Sequence, residues 1–396
     1  MRLNRHYGTR AMLLGSLIVC LTLLSTRVQA DTAFCGQIIT VPFTDVAGNI
    51  FFCDIAEAYF SGLTNGTTPT TYSPSQNVPR EQMAAFITRT MDQSLTRGSK
   101  RAALKQFWTP TSVASTALTT VGSGPLFVES DGADLWVVNY GDGTVSRVRA
   151  SDGKLLGTWT GASVCVTGLA AMGRIFVTGY ASPGRLYVID PTQPAGAVTT
   201  LTGSLPPFTK GISFDGARIW TANVGGSVSI VTLNPLSVET VTTGFITPNG
   251  ILYDGAHIWV TDIGTNPGKL LKLDFNGAIV QTVTVGHDPY FPVFDGTNIW
   301  VPNISSNSLT IVRASTSVVL ATLTGNGLNG PLTAAFDGER ILVTNSVGNN
   351  ISLWKATDLS PLGSVSTGAG TTPTGACSDG LNFWVTFQGT SKLARF

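Results

Sequence analysis

The sequence predicts a mainly β fold: a seven-bladed β-propeller with a small N-terminal α-helical module. Three observations carry that prediction. A phrase built on Asp-Gly and Trp recurs about every forty residues. Each interval divides into four short apolar stretches. The two ends of the repeat region supply complementary parts of one further unit. A fixed period near forty with four strands per unit is the signature of a propeller blade. Composition agrees: of 396 residues, 44 are Gly and 20 Pro, and only 12% are charged. So few charges and so many turn formers argue against coiled coils, helix bundles and disordered tails.

The phrase reads Ser130-Asp-Gly-Ala-Asp-Leu-Trp-Val-Val-Asn139 in its first copy and Phe214-Asp-Gly-Ala-Arg-Ile-Trp-Thr-Ala-Asn223 in its third. Its anchor falls at Asp131, Ala171, Asp215, Asp254, Asp295, Asp337 and Asp379, at spacings of 40, 44, 39, 41, 42 and 42. Blade four shows the division: strand A over Asn249–Tyr253, B over His257–Thr261, C over Lys269–Leu273 and D over Ile279–Val285. Asp-Gly makes the turn from A to B, because Gly tolerates positive φ and Asp tolerates tight turns. Strand B is apolar on both alternations, as in a sheet covered on both faces. Its recurring Trp136, Trp220, Trp259, Trp300 and Trp384 read as inter-blade packing.

The seventh unit has strands A to C, the last over Lys392–Phe396, and no strand D. Ala117-Leu-Thr-Thr-Val-Gly122 matches the D strands of other units, such as Thr240-Val-Thr-Thr-Gly244. Residues 113–122 are therefore expected to close the ring as the missing strand, removing an exposed edge. The propeller then occupies 111–396.

Ahead of it, Arg2, Arg5 and Arg10 precede an apolar run from Ala11 to Leu24, followed by Val28-Gln29-Ala30. This is the pattern of a secretory signal peptide over 1–30. The run is short for a membrane span, which needs about 20 residues. Without the four arginines of the leader, 20 basic residues face 23 acidic ones, a net −3. With no basic patch, nucleic acid is excluded as a partner. Export implies an oxidising compartment, the periplasm or the cell surface. Four cysteines remain after the leader and allow three pairings. Cys35 and Cys53, close together in a small segment, are the natural pair; Cys165 and Cys377 read as buried thiols.

Residues 31–95 form the helical module and 96–110 a linker. Phe52, Ile55, Ala56, Tyr59 and Phe60 fall at helical spacing, and Gly62-Leu-Thr-Asn-Gly66 ends that helix. Pro79 suits the first position of a second helix carrying Met83, Phe86 and Ile87. Phe43-Thr-Asp-Val46, the Gly62–Gly66 loop, Tyr72-Ser-Pro74 and Val78-Pro-Arg-Glu-Gln-Met83 together resemble one S-layer homology (SLH) repeat. That family anchors exported bacterial proteins to cell-wall polysaccharide or peptidoglycan-linked glycan. The resemblance implies a glycan site with Arg80 in contact and Asp45 and Gly66 shaping it. Pro79 stands where the family usually has Thr, and one repeat is present where three are common.

The propeller resembles the YVTN and NHL-type family, which includes lactonase-like and streptogramin-lyase-like members. The resemblance rests on Pro125, Pro248, Pro289, Pro331 and Pro373 before strand A, the Asp-Gly turn, and phrases such as Ile341-Leu-Val-Thr-Asn345. Propellers host unrelated activities, so the function must come from the site.

Chemistry is sparse. The chain after the leader has two histidines, His257 and His287. No nucleophile elbow, zinc-protease, phosphate-loop or EF-hand spacing appears, and no adjacent-Cys pair of a quinone-cofactor propeller. No catalytic residue, metal or cofactor is assigned. One polar sector stands out. The residue after each strand-A proline, or its equivalent, rings the channel mouth, and Lys210, Asn249 and Tyr290 fall in consecutive blades beside His287-Asp288. These five are the candidate ligand-binding residues, suited to a small hydroxylated or weakly acidic molecule or a glycan end. The sequence thus points to an exported envelope protein: a non-catalytic binding or scaffold propeller, tethered or targeted by its SLH-like module, with a small molecule or protein at the propeller face. A lactonase-like or lyase-like enzyme acting at the channel mouth is the alternative.

Overall fold

A computed structural model describes residues 30–96 and 117–396. The expected leader up to residue 29, the linker beyond residue 96 and residues 113–116 of the closing strand lie outside the described residues. Seven four-stranded antiparallel sheets, six of them simple meanders, form a β-propeller. Blade 1 runs Pro125–Ser130, Asp134–Asn139, Thr144–Arg149 and Leu155–Trp159 as strands A to D. Blade 7 takes Pro373–Ser378, Phe383–Phe387 and Lys392–Arg395 from the end of the chain and Ala117–Thr120 from before blade 1. The pairs Ala117↔Arg395 and Thr120↔Lys392 set the register of closure. The Lys392 ammonium donates to Thr120 Oγ1 at 2.6 Å.

One blade departs from the expected pattern. Strand A of blade 5 shrinks to Val293–Phe294, with Pro289 joined to Asn303 by an isolated bridge. Pro289 and Pro292 have no N–H for the ladder, so regular pairing cannot start before Val293.

The recurring Asp and Trp are one device. In blades 1, 3, 4, 5 and 7 the indole N–H donates to the turn aspartate five residues earlier, at 2.7–2.8 Å. The other carboxylate oxygen accepts the two backbone N–H groups that close the turn, as Asp215 does from Ala217 and Arg218. Each tryptophan is fully buried. The buried N–H therefore has a partner, and the turn is locked to the sheet core. Blade 6 replaces the indole by Arg340, whose Nε donates to Asp337 at 2.8 Å. Blade 2 has Ala171 and Phe176 at these positions and no such bond to make.

A second device joins blades. Thr178, Thr261 and Thr344, next to last in strand B, donate to the carbonyls of Lys210, Tyr290 and Thr374 in or just before the following blade's strand A, at 2.7–2.9 Å. Strands A then approach closely around the channel. A Cβ on Gly211 would stand 2.6 Å from the Asn249 carbonyl.

The N-terminal segment has a hairpin, Thr32–Phe34 with Ile38–Thr40, and two helices, Phe52–Phe60 and Arg80–Thr96. A Cys35–Cys53 disulfide ties the hairpin to the first helix. This segment does not hang free. Phe43, Phe52, Ile55 and Phe60 share one hydrophobic core with Trp300, Ile311 and Trp354 of blades 5 and 6. Polar contacts frame that core. Asn298 Nδ2 donates to the Phe60 carbonyl at 2.9 Å, and Lys355 pairs with Glu57 at 3.2 Å. The Arg313 guanidinium lies 5.2 Å from the centre of the Tyr59 ring. A segment of this size has too little core of its own; the propeller completes it.

Candidate functional site

The start of strand A in blades 3 and 4, and the segment leading into strand A of blade 5, bring Lys210, Asn249 and Tyr290 to one side of the channel mouth. The Lys210 and Tyr290 carbonyls are pinned by Thr178 and Thr261, which fixes where their side chains leave the backbone. The Lys210 ammonium sits 4.3 Å from the centre of the Tyr290 ring and 5.6 Å from that of Phe291. Ring faces carry negative quadrupole and attract the cation. Among the described residues no carboxylate pairs with it. Burial pushes the ammonium down to about 8, since desolvation disfavours the charged form.

Asn249 is fully buried. Its amide lies beside the Tyr290 hydroxyl and favours the phenolate, yet neither its Nδ2 nor its Oδ1 has a partner at hydrogen-bonding distance. A buried amide with both ends open is costly and uncommon in native interiors. The Tyr290 phenol is itself pushed up, by burial first, then by Asp288.

His287 and Asp288 enter blade 5 on the same face. Their side chains turn toward each other, His287 Nε2 standing 3.8 Å from Asp288 Oδ1. The B–C loop of the blade holds them: Ser305 Oγ donates to Asp288, and Ser306 Oγ accepts the His287 N–H at 3.1 Å. Asp288 reaches the Tyr290 phenol electrostatically. Not all of the mouth ring is solvated rim. Thr374 is buried and donates to the Pro125 carbonyl at 3.1 Å, so that position serves ring closure. His257, just before strand B of blade 4, lines a 520 Å³ cleft against the N-terminal segment, away from the mouth.

In the N-terminal segment, Asp45 accepts the Tyr72 and Ser73 N–H groups at 2.8 and 2.7 Å. Gly66 has φ +80°, and a Cβ there would collide with the Phe43 ring and the Thr71 carbonyl. Both residues shape one loop. That loop and the second helix bound a groove of 610 Å³ lined by Asn65, Tyr72, Gln82, Phe86 and Arg89. Arg80 is exposed at the start of the helix and is not in that lining. Arg89 is, with a guanidinium N–H on the Leu63 carbonyl at 3.2 Å. Its place nine residues further along the same helix gave no signal in the sequence.

Among the described residues no group of three or more His, Cys, Asp or Glu side chains is placed to hold a metal ion. No described helix is long and apolar enough to cross a membrane.

No family model matches this chain, and no curated protein matches it. Solved structures do. Virginiamycin B lyase from Staphylococcus aureus superposes with a TM-score of 0.59 at 16% identity, over 70% of this chain and 98% of that one. A streptogramin B lyase gives 0.58 at 15%, over 70% and 96%. Hydrazine synthase of Kuenenia stuttgartiensis gives 0.58 at 17%, over 73% and 99%. At such identities the likeness is one of fold, and it agrees with the blade count: the chain is a seven-bladed β-propeller.

Proposed function

We propose that this protein is an exported binding propeller of the cell envelope, whose channel mouth takes a small hydroxylated anion such as a sugar acid. One observation carries the reading: a partly desolvated ammonium with no counter-ion among the described residues, Lys210, adjoins a fully buried amide with both ends open, Asn249. An anionic oxygen on Lys210 would supply the missing charge. Hydroxyls or a second oxygen would satisfy Asn249, with the Tyr290 phenol donating alongside. In this reading the N-terminal segment is an SLH-like unit that directs the protein to wall glycan, using the groove that Asp45 and Gly66 shape, with Arg80 at its edge.

Calorimetric titration with glucuronate, gluconate and neutral glucose tests the mouth. Binding of an acid, lost in Lys210→Met and weakened at least tenfold in Asn249→Leu, supports the reading. Equal binding of glucose, or acids bound equally by Lys210→Met, overturns it. Wall targeting is tested by pull-down with isolated cell-wall fractions. Deleting residues 31–100 would uncover the core on blades 5 and 6, so Arg80→Ala and Arg89→Ala are the better variants.

A second reading is a lyase-like reaction at the same mouth. It draws on the fold shared with the two lyases and on one observation, the Lys210 ammonium held at about 8. Such a lysine exchanges a proton near neutral pH and can act as a general base. Recovery of the bound acid unchanged after long incubation excludes this second reading and leaves the first.

A further inference from the structure

The propeller holds a second unmatched charge, deeper in the channel. Two places before the turn anchor, strand A carries Leu, Ser, Val, Ala or Cys in six blades and Glu129 in blade 1. Glu129 lines a cavity of about 280 Å³ within the channel. Toward the mouth this cavity is bounded by Phe127 and Phe291, whose ring centres are 5.7 Å apart. At its other end it reaches Ser130, Phe336 and Ser378, the last residues of their strands A, and opens on the face of the A–B turns. This cavity is distinct from the mouth sector: Lys210, Asn249 and Tyr290 are not among its lining residues, although the Lys210 ammonium lies 5.6 Å from the centre of the Phe291 ring.

Two features mark it as a site built for an occupant. Among the described residues no basic group pairs with Glu129. Thr333, 3% exposed and also in the lining, has a hydroxyl with no hydrogen-bond partner. The Ser130 and Ser378 hydroxyls accept the N–H groups of Gly132 and Gly380, which leaves their protons free to donate. The carboxyl is half-buried in the channel wall, and burial pushes it up to about 8. The titratable side chain facing it is Cys377 on strand A of blade 7, whose thiol is also driven up by burial. Strand B of blade 1 offers Asp134, already paired with Arg147 at 2.7 Å. Strand A of blade 2 has only Cys165, at its opposite end.

A carboxylate without a counter-ion calls for a cation. One carboxylate and a few hydroxyls are too few protein oxygens for calcium, which takes six to eight. The remaining walls are aromatic and aliphatic, with ring faces that attract organic cations. We propose that the channel cavity binds a small primary ammonium compound, its charged nitrogen on Glu129 and Thr333 and its apolar body against Phe127, Phe291 and Phe336. The volume lies just below the range for drug-sized ligands, so the guest is compact. Because Glu129 must ionise to accept it, binding releases a proton below pH 8.

The test is calorimetry on the chain lacking residues 1–30, with benzylammonium as the probe and benzyl alcohol as its neutral counterpart. Benzylammonium affinity should rise from pH 6 to pH 8 by up to about tenfold per pH unit, while benzyl alcohol shows no such rise. Glu129→Gln should weaken benzylammonium at least tenfold and Thr333→Val several-fold, whereas Lys210→Met should leave it unchanged. That last variant separates this site from the mouth. Failure to bind millimolar benzylammonium at pH 8, equal binding of the alcohol, or unaltered affinity in a folded Glu129→Gln variant would overturn the proposal. Should Glu129→Gln not fold, the pH series and the alcohol comparison on the unaltered chain decide.

Discussion

The Lys210 ammonium stands 4.3 Å over the ring of Tyr290. That contact, and not an acid, is what the protein offers a half-buried cation that has lost part of its hydration. A cation over a ring recovers only part of the hydration it loses. The mouth is therefore held at some expense to the free protein, as binding sites often are.

The first prediction follows from the sign of that imbalance. The lysine is held below its unfolded value, so it opposes folding at neutral pH, and the penalty fades as pH rises from about 8 toward 10. Lys210→Met should raise stability at pH 7 by roughly 1–2 kcal/mol, and the gain should shrink by pH 9–10. Thermal melts of both proteins across pH 6–10 measure it. A variant less stable than the parent at pH 7 would refute the electrostatic account.

The Asp–Trp lock supplies a second. Asp215 accepts two backbone N–H groups and the Trp220 indole. Asp215→Ala removes all three and should cost about 2–4 kcal/mol. Burial raises the Asp215 carboxyl, but the Trp220, Arg218 and Ala217 hydrogen bonds outweigh it and hold the group below its usual value. Its stabilisation is present above the ordinary carboxylate range and is lost as pH falls through the lowered value. Asp215→Asn should thus flatten the acid limb of the melting curve. An acid limb as steep as the parent's in this variant would show that Asp215 contributes nothing there.

Thiol chemistry gives a third. Cys165 is fully buried with its thiol pushed up to about 12, and burial raises Cys377 as well. Thiolate is the reactive form. The chain lacking residues 1–30 should show no rapidly titrating thiol when native and two when denatured without reductant. Four in the denatured state would mean that Cys35 and Cys53 are not bridged in solution.

The docked N-terminal segment gives a fourth. Phe60 is 1% exposed in the core shared with blades 5 and 6, and its carbonyl accepts from Asn298. Phe60→Ala should cost about 3–5 kcal/mol. Protease should then cleave between residues 40 and 90 before the propeller melts. Simultaneous loss of both parts would instead indicate that the blades need the segment to fold.

Local, repeated features were legible in the sequence; what depends on a single distant encounter was not. The Asp-Gly turns, the strand-B tryptophans and the sharing of one blade between the chain ends all recur at fixed offsets. The indole-to-aspartate bond was present as a constant spacing of five residues, but spacing alone does not distinguish packing from bonding. Phe43, Ile55 and Phe60 form a helical stripe that must bury itself somewhere, and nothing periodic says that Trp300 and Trp354 receive it. Lys210, Asn249 and Tyr290 were aligned by the repeat, yet nothing periodic marks Asn249 as the fully buried one. Glu129 went unmarked because one acid in a half-polar strand is ordinary. Only alignment of all seven strands A shows it standing where the other blades are uncharged.

The closing pair Thr120 and Lys392 are 272 residues apart. Thermodynamically that distance matters little: by the logarithmic law of loop closure it costs only about 3 kcal/mol more than a ten-residue hairpin. In time it matters a great deal, because contacts of such sequence separation form late. Until they form, strand C of blade 7 presents an open edge, and edges recruit other chains. The hazard for this protein lies in the interval between making six blades and sealing the seventh. A folding helper that shields Lys392–Arg395 during that interval would raise the yield of monomer and leave the stability of the finished ring unchanged.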